Sequence, residues 1–337
     1  MPLVAHSRLP AFDALRGEGL TLIPPELAAA NGLPSLRVGL LNLMPDAALQ
    51  ATERQFLRLV DGYGGQANLF VYPFAVRAEY RAEIAVAHIA THYSTFGQLC
   101  DAGLDALIIT GANPAAPDIT AEAFWSPMIE VIEWGHTNVD SIVCSCLATH
   151  AILQHYHDTS RTELAARQWG VYAHELLVPE HPLLAGVDAI IHAPHSHRYA
   201  VSAADMERAG MTVLAVGSEA GLHLAVSGDP ARFIFFQGHP EYDAISLLKE
   251  YKREVQRFLT GGRKTYPTFP EHYFDAAAKR RLEAYQRQVT ESDFEQDTIP
   301  AFPEAELAGA RENTWSAAGR QIYRNWLAGV AARKSRT

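Results

Sequence analysis

Cys146, His239 and Glu241 supply a thiol, an imidazole and a carboxylate, the three groups of a base-assisted sulfur nucleophile. Cys146 closes the run Ser141-Ile142-Val143-Cys144-Ser145-Cys146, whose apolar, β-branched start suits a buried strand. Leu147 to His155 then reads as a helix. A nucleophile on so tight a strand-to-helix turn needs small residues two places before and after it. Cys146 has Cys144 and Ala148 there, whereas Cys144 would have Cys146 and the bulky Ile142. The flanks therefore select Cys146. The alternative is that both cysteines are small hydrophobes in a core. Against it stands His239-Pro240-Glu241, 93 residues after Cys146 and at the end of another apolar strand. His239 would deprotonate the thiol and later activate an acceptor, while Glu241 holds the imidazole in the needed tautomer and stabilises its charged form. Main-chain N–H groups opening the helix after Cys146 would favour a thiolate and bind an oxyanion.

The elements that must position these groups alternate along the chain. Residues 36–43, 68–72, 104–110, 141–146 and 232–237 read as strands. Residues 49–60, 121–135, 147–155 and 245–259 read as helices, with a further one ending near Leu99. This alternation predicts an α/β fold with a mainly parallel sheet and helices on both faces, and ligands in such sheets gather beyond the strands' carboxyl ends. Met44-Pro45, Gly111-Ala112 and Cys146 all fall there. Short apolar runs at 170–172, 189–191, 212–216 and 222–226 read as an antiparallel excursion. Residues 1–35, with Pro24-Pro25, read as an N-terminal extension; residues 36–262 form the core domain. Residues 263–337 are a C-terminal extension packing on it, Pro- and aromatic-rich at first and ending in a helix with Tyr323, Trp326 and Leu327. Gly62-Tyr63-Gly64-Gly65 follows a helix and precedes a strand, the reverse of a dinucleotide-binding loop.

Composition narrows the function. The 337 residues are 48% hydrophobic and 20% charged, ordinary globular values, and the net charge of −10 with no basic stripe argues against a nucleic-acid partner. The three cysteines make no disulfide framework and fit a reducing cytoplasm. No leader and no apolar run long enough for a membrane span is visible. His150, His155 and His157 lack the His-Glu-x-x-His pattern and no phosphate-binding loop occurs, so neither a metal nor a bound cofactor is expected.

Several segments resemble the signatures of the homoserine O-succinyltransferase/O-acetyltransferase family. They are Leu41-Asn42-Leu43-Met44-Pro45, Thr52-Glu53-Arg54-Gln55-Phe56-Leu57-Arg58-Leu59, Thr110-Gly111-Ala112, Ala193-Pro194-His195-Ser196 and Gly238-His239-Pro240-Glu241-Tyr242-Asp243. The likeness runs from Leu9 to Leu327. It implies a class I glutamine amidotransferase-like (flavodoxin-like) three-layer sandwich. It also implies an acyl-CoA-dependent O-acyltransferase of methionine biosynthesis, acylating the γ-hydroxyl of L-homoserine through a thioester on Cys146. His239 matches the base and Glu241 its partner. Ser196 and Arg253 match substrate-binding residues, and Arg167 stands where the family has a substrate-binding lysine. Ala115 occupies the donor-choosing position, where a small neutral side chain favours succinyl-CoA over acetyl-CoA. A homodimer is also implied. Asp46 departs from the family, which usually has an oxyanion-binding lysine just after Met-Pro, and Leu147 replaces an aromatic residue. The rival readings are an O-acetyltransferase of homoserine or serine, a glutamine amidotransferase, and a non-catalytic member of the fold. Cys144 and Ala148, in place of glycines, argue against the amidotransferase, and a complete Cys/His/Glu set argues against the non-catalytic member.

Overall fold

The computed structural model describes residues 3–61, 67–228, 231–291, 299–309 and 312–336; the Gly62–Gly65 segment lies outside them. Among these residues the strands are β1 (Ser35–Leu41), β2 (Asn68–Phe74), β3 (Ala106–Ile109), β4 (Ser141–Ser145), β5 (Thr162–Leu176), β6 (Ile190–Ala200), β7 (Thr212–Gly217), β8 (Gly221–Val226) and β9 (Phe233–Phe236). They join one sheet in the order β2-β1-β3-β4-β9-β8-β7-β5-β6. From β2 to β9 every pairing is parallel; from β9 to β6 every pairing is antiparallel. The fold is thus α/β with a mixed sheet, and its parallel half is the half that ends in Cys146.

Residue alternation explains why both faces are covered. Leu36, Val38, Leu40, Ala106, Ile108, Val143, Ile234 and Phe236 share one core. Their helical partners come from α1 (Pro10–Gly17), α2 (Leu49–Val60) and, further along the chain, Ser316–Lys334. Leu107, Ile109, Ile142, Cys144, Phe233 and Phe235 face the opposite core, packed on α3 (Trp125–Asn138) and α4 (Leu147–His157). Strands buried on both faces read as continuous apolar runs, which is why these five were visible in the sequence. The helix expected to end near Leu99 is two, Glu83–His92 and Phe96–Ala102, the second opened by a Thr95/Gln98 capping box.

The antiparallel half is longer than its apolar runs. Only residues 169–172 and 174 of β5 are buried, and β5 meets β7 only at Glu175 and Leu176. Elsewhere β5 pairs with β6, with a break in register between Glu163 and Gln168, and Gly170 bridges Glu271, so half-exposed polar residues continue the strand without an apolar pattern.

Both ends of the chain pack on the core. Leu3, Val4, Leu9, Phe12 and Leu15 are buried, and Leu3 bridges to Leu69 of β2. Helices α5 (Ser246–Leu259) and α6 (Ala276–Glu291) join Trp169, Tyr273, Phe274 and Trp315 in a third apolar cluster. The last helix, α7 (Ser316–Lys334), buries Tyr323, Trp326, Leu327 and Val330 against α2 and the sheet. Each such side chain contributes about 1.5–3 kcal/mol on burial. Among the described residues no helix is long and apolar enough to cross a membrane.

Candidate active site

The order β2-β1-β3-β4-β9 reverses direction between β1 and β3, and the crevice beyond the strands' carboxyl ends opens there. Cys146 sits between β4 and α4 with φ 48° and ψ −101°, and its N–H donates to Phe236 O at 2.6 Å. A non-glycine residue in that region is strained, and the strain aims its side chain off the sheet edge. Cys144 faces the core at 0% exposure, and burial pushes its thiol up, out of the reactive range. Cys146, at 8%, lines a cavity of about 510 Å³.

Gln237, to which the sequence assigns no role, faces the sulfur, and His150, expected as a surface histidine, is buried behind it. Gln237 Nε2 lies 3.8 Å from Cys146 Sγ, and Gln237 Oε1 lies 2.8 Å from His150 Nε2. Burial lowers His150 to about 4, so the ring is neutral at physiological pH. A neutral His150 donating to Oε1 leaves the Gln237 amide N–H to face the sulfur. In the sequence Gln237 is marked only as the polar last residue of the apolar run 232–237, which the observed strand leaves at Phe236.

His239 Nδ1 lies 2.8 Å from Glu241 Oε1, and the ring lies near enough to the Cys146 thiol for the two to interact electrostatically. Burial opposes the charged imidazole, but Glu241 and then Cys146 outweigh it and hold the pKa well above its ordinary value. Tyr242 stacks on the ring with centroids 4.5 Å apart, and the His239 N–H is tied to Pro194 O at 2.7 Å. Gly238 allows that approach: a Cβ there would stand 2.8 Å from His195 Nε2 and 2.9 Å from both His223 Nδ1 and Pro194 O. Gly111 closes the other side, its Cβ direction pointing at Cys146 Cβ and His239 Cε1.

Arg167, Ser196 and Arg253 line the same cavity as Cys146. A carboxylate missed in the sequence, Glu250 on α5, organises the first two. Its Oε2 accepts from Arg167 Nη2 at 2.7 Å, Ser196 Oγ at 2.8 Å and Trp169 Nε1 at 2.9 Å, and its Oε1 from Tyr242 OH at 2.8 Å. Tyr242 thereby links this cluster to the imidazole it stacks on. Glu250 lies one helical turn before Arg253, but a lone glutamate on an amphipathic helix reads as part of a solvated face.

Ala115 is exposed and does not line the cavity, although Ala112, Asn113 and Pro114 do. The N–H groups of Ala115 and Ala116 donate to Glu122 Oε1 at 2.6 and 2.7 Å. Asp46, standing where the resemblance expects a lysine, accepts from Ala82 N–H at 2.9 Å and pairs with Arg81 at 3.0 Å. Arg81 also donates to Met44 O and Asn42 O, so this guanidinium braces the loop after β1. Six arginines, at 161, 167, 198, 253, 257 and 263, line the main cavity, which suits anionic ligands.

A thiol, an imidazole and a carboxylate gathered beyond the ends of parallel strands are the groups that thiol-based acyl transfer requires, and the class this fold and site point to is an α/β acyltransferase. Within that class, the chain belongs to the homoserine O-succinyltransferase family, whose model, described as "Homoserine O-succinyltransferase", matches residues 2–335. Proteins of that name from Methylobacter tundripaludum and Thiobacillus denitrificans are each 47% identical over 327 residues, covering 97% of this chain and 92% of theirs. The one from Methylococcus capsulatus is 45% identical over the same length and coverage. Among solved structures, a glutamine amidotransferase from Methylobacillus flagellatus aligns at 13% identity and a TM-score of 0.46, over 88% of this chain and 96% of that one.

Proposed function

We propose that this chain transfers a succinyl group from succinyl-CoA to the γ-hydroxyl of L-homoserine in two steps through Cys146. In the first, the Cys146 thiolate attacks the thioester carbonyl. The Sγ–C bond forms, the bond from carbon to the CoA sulfur breaks, and the departing thiolate takes the proton held on His239. In the second, neutral His239 removes the acceptor's hydroxyl proton, the new O–C bond forms and the Sγ–C bond breaks. The released Cys146 thiolate and the newly protonated His239 are the pair that began the first step, so the cycle closes. Glu241 keeps Nδ1 protonated and stabilises the charged ring in both steps. The observation that carries this reading is the Cys146–His239–Glu241 line opening onto a cavity walled by arginines, which suits an anionic donor and an amino-acid acceptor. Arg253 supplies a planar fork for the acceptor's carboxylate, beside Ser196 and Arg167 as Glu250 orients them. Such thiol chemistry fits a reducing cytoplasm, and the three cysteines are free.

The test is acceptor competition on succinylated enzyme. Homoserine should discharge Cys146 far faster than serine or water, with O-succinylhomoserine as the product. Equal discharge by serine, or discharge only by ammonia, would defeat the reading.

A pH prediction follows from the raised pKa of His239. The imidazolium that protonates the leaving thiolate persists until pH rises through that value. Glu241→Gln removes the chief raising charge, so the alkaline limb of the acylation rate should move to lower pH. The same charge stabilises the fold at pH values below about 6.5 and is lost as pH climbs through the folded value. The stability gap between wild type and Glu241→Gln should therefore narrow toward alkaline pH in thermal melts.

A further inference from the structure

Two of the six cavity arginines, Arg161 and the exposed Arg198, form no ion pair among the described residues, and of these two Arg161 is the half-buried one. Arg167 is neutralised by Glu250 at 2.7 Å, while Arg263, Arg257 and Arg253 share Glu254 at 3.0, 3.4 and 4.0 Å. Among the described residues Arg161 has no carboxylate within ion-pair distance. Main-chain carbonyls hold it instead: Nη2 donates to Ala116 O at 2.6 Å and Pro117 O at 3.0 Å, and Nε donates to Pro117 O at 3.2 Å. Its guanidinium carbon lies 4.0 Å from the centroid of the Tyr199 ring. The Glu122 carboxylate pins the same loop from its N–H side, so the cation is fixed before any ligand arrives. Nη1 donates to no group among the described residues.

Arg161 also lies beside the reacting sulfur's surroundings. It lines the same space as Cys146 and His150 and acts electrostatically on both. Glu122 and Asp118 act on this guanidinium from a distance without pairing with it, so a contact position for an anion stays open on a partly buried, preorganised cation. The CoA phosphates are at the far end of a donor from the reacting carbonyl. The anion that belongs beside the thioester is one carried by the acyl chain.

We propose that Arg161 is the anchor for the terminal carboxylate of a dicarboxylic acyl chain and sets the preference of Cys146 for such donors over neutral ones. Ala112, Asn113, Pro114 and Leu147 border the cavity through which the chain's methylenes would pass. This assignment rests on the acyl-transfer reading above and adds a donor-selecting contact to it.

The experiment follows acylation of Cys146 by quenched-flow mass spectrometry, with succinyl-CoA and the uncharged butyryl-CoA as paired donors. Wild type should favour succinyl-CoA. In Arg161→Met the ratio of succinyl to butyryl acylation efficiency should fall about 100-fold, the scale of a lost charge-assisted pair. Arg161→Lys, which keeps the charge without the fork, should recover part of it. An equal loss with both donors would make Arg161 a brace for the loop or a stabiliser of the thiolate, and an unchanged ratio would remove it from donor choice. Either overturns the assignment. Were Arg161→Met to lose its fold by circular dichroism, the donor ratio of Arg161→Lys against wild type decides. If wild-type Cys146 takes no acyl group from either donor, the acyl-transfer reading itself fails, an outcome distinct from a missing difference between donors.

Discussion

Cys146→Ala is expected to abolish the acyl-enzyme and lower turnover on the order of 10⁴- to 10⁶-fold, because it removes the sulfur that carries the acyl group. Intact-protein mass after mixing with succinyl-CoA should rise by one succinyl group in wild type and not at all in this variant. Cys144→Ala is the matched control. Cys144 lies two residues away with its thiol in the apolar core, so its loss removes a little buried volume, worth about 1 kcal/mol, and leaves the adduct in place. The opposite pattern, adduct lost with Cys144 and kept with Cys146, would overturn the assignment. The elbow adds a stability readout independent of activity. Cys146 holds φ 48°, where a side chain is strained by about 1–3 kcal/mol. Alanine keeps that strain and glycine relieves it, so Cys146→Gly should melt above Cys146→Ala. That order would identify the turn as strain retained for placing the sulfur.

How much of this was legible in the sequence follows from how each part is buried. The five parallel strands are covered on both faces and therefore appear as apolar runs. Small flanks identified the elbow because crowding at a tight turn acts on residues two places away. The β5–β6 arm left only its buried tips as a signal, since its remaining residues satisfy their backbone in a half-exposed ladder. Glu250, Gln237 and Arg161 were missed for a shared reason. Each gains its meaning chiefly from partners 54 to 91 positions away or from main-chain carbonyls 44 and 45 positions back, and no local pattern marks such convergence. Asp46 shows the converse. The sequence flagged a missing cation, and the structure answers with Arg81, 35 positions on, engaged in bracing the loop.

His239→Asn separates what the imidazole does for the chemistry from what it does for the fold. Losing the acid of the first step and the base of the second should lower turnover about 10³- to 10⁴-fold, near the upper range for one acid–base group. The stability cost has another origin. The His239 and Glu241 side chains are 6% and 5% exposed, so removing the ring leaves a carboxylate buried without its partner. Breaking such a pair costs about 3–5 kcal/mol, whereas removing both charges costs much less. The double variant His239→Asn/Glu241→Gln should therefore recover most of the lost thermal stability and none of the activity. If the single variant melts like wild type, Glu241 is solvated well enough to stand alone, and the raised pKa of His239 must come chiefly from the Cys146 sulfur. If the double variant regains turnover, the proton passes through another group. Recovery of fold without function would place the charge of Glu241 where the geometry puts it, against His239.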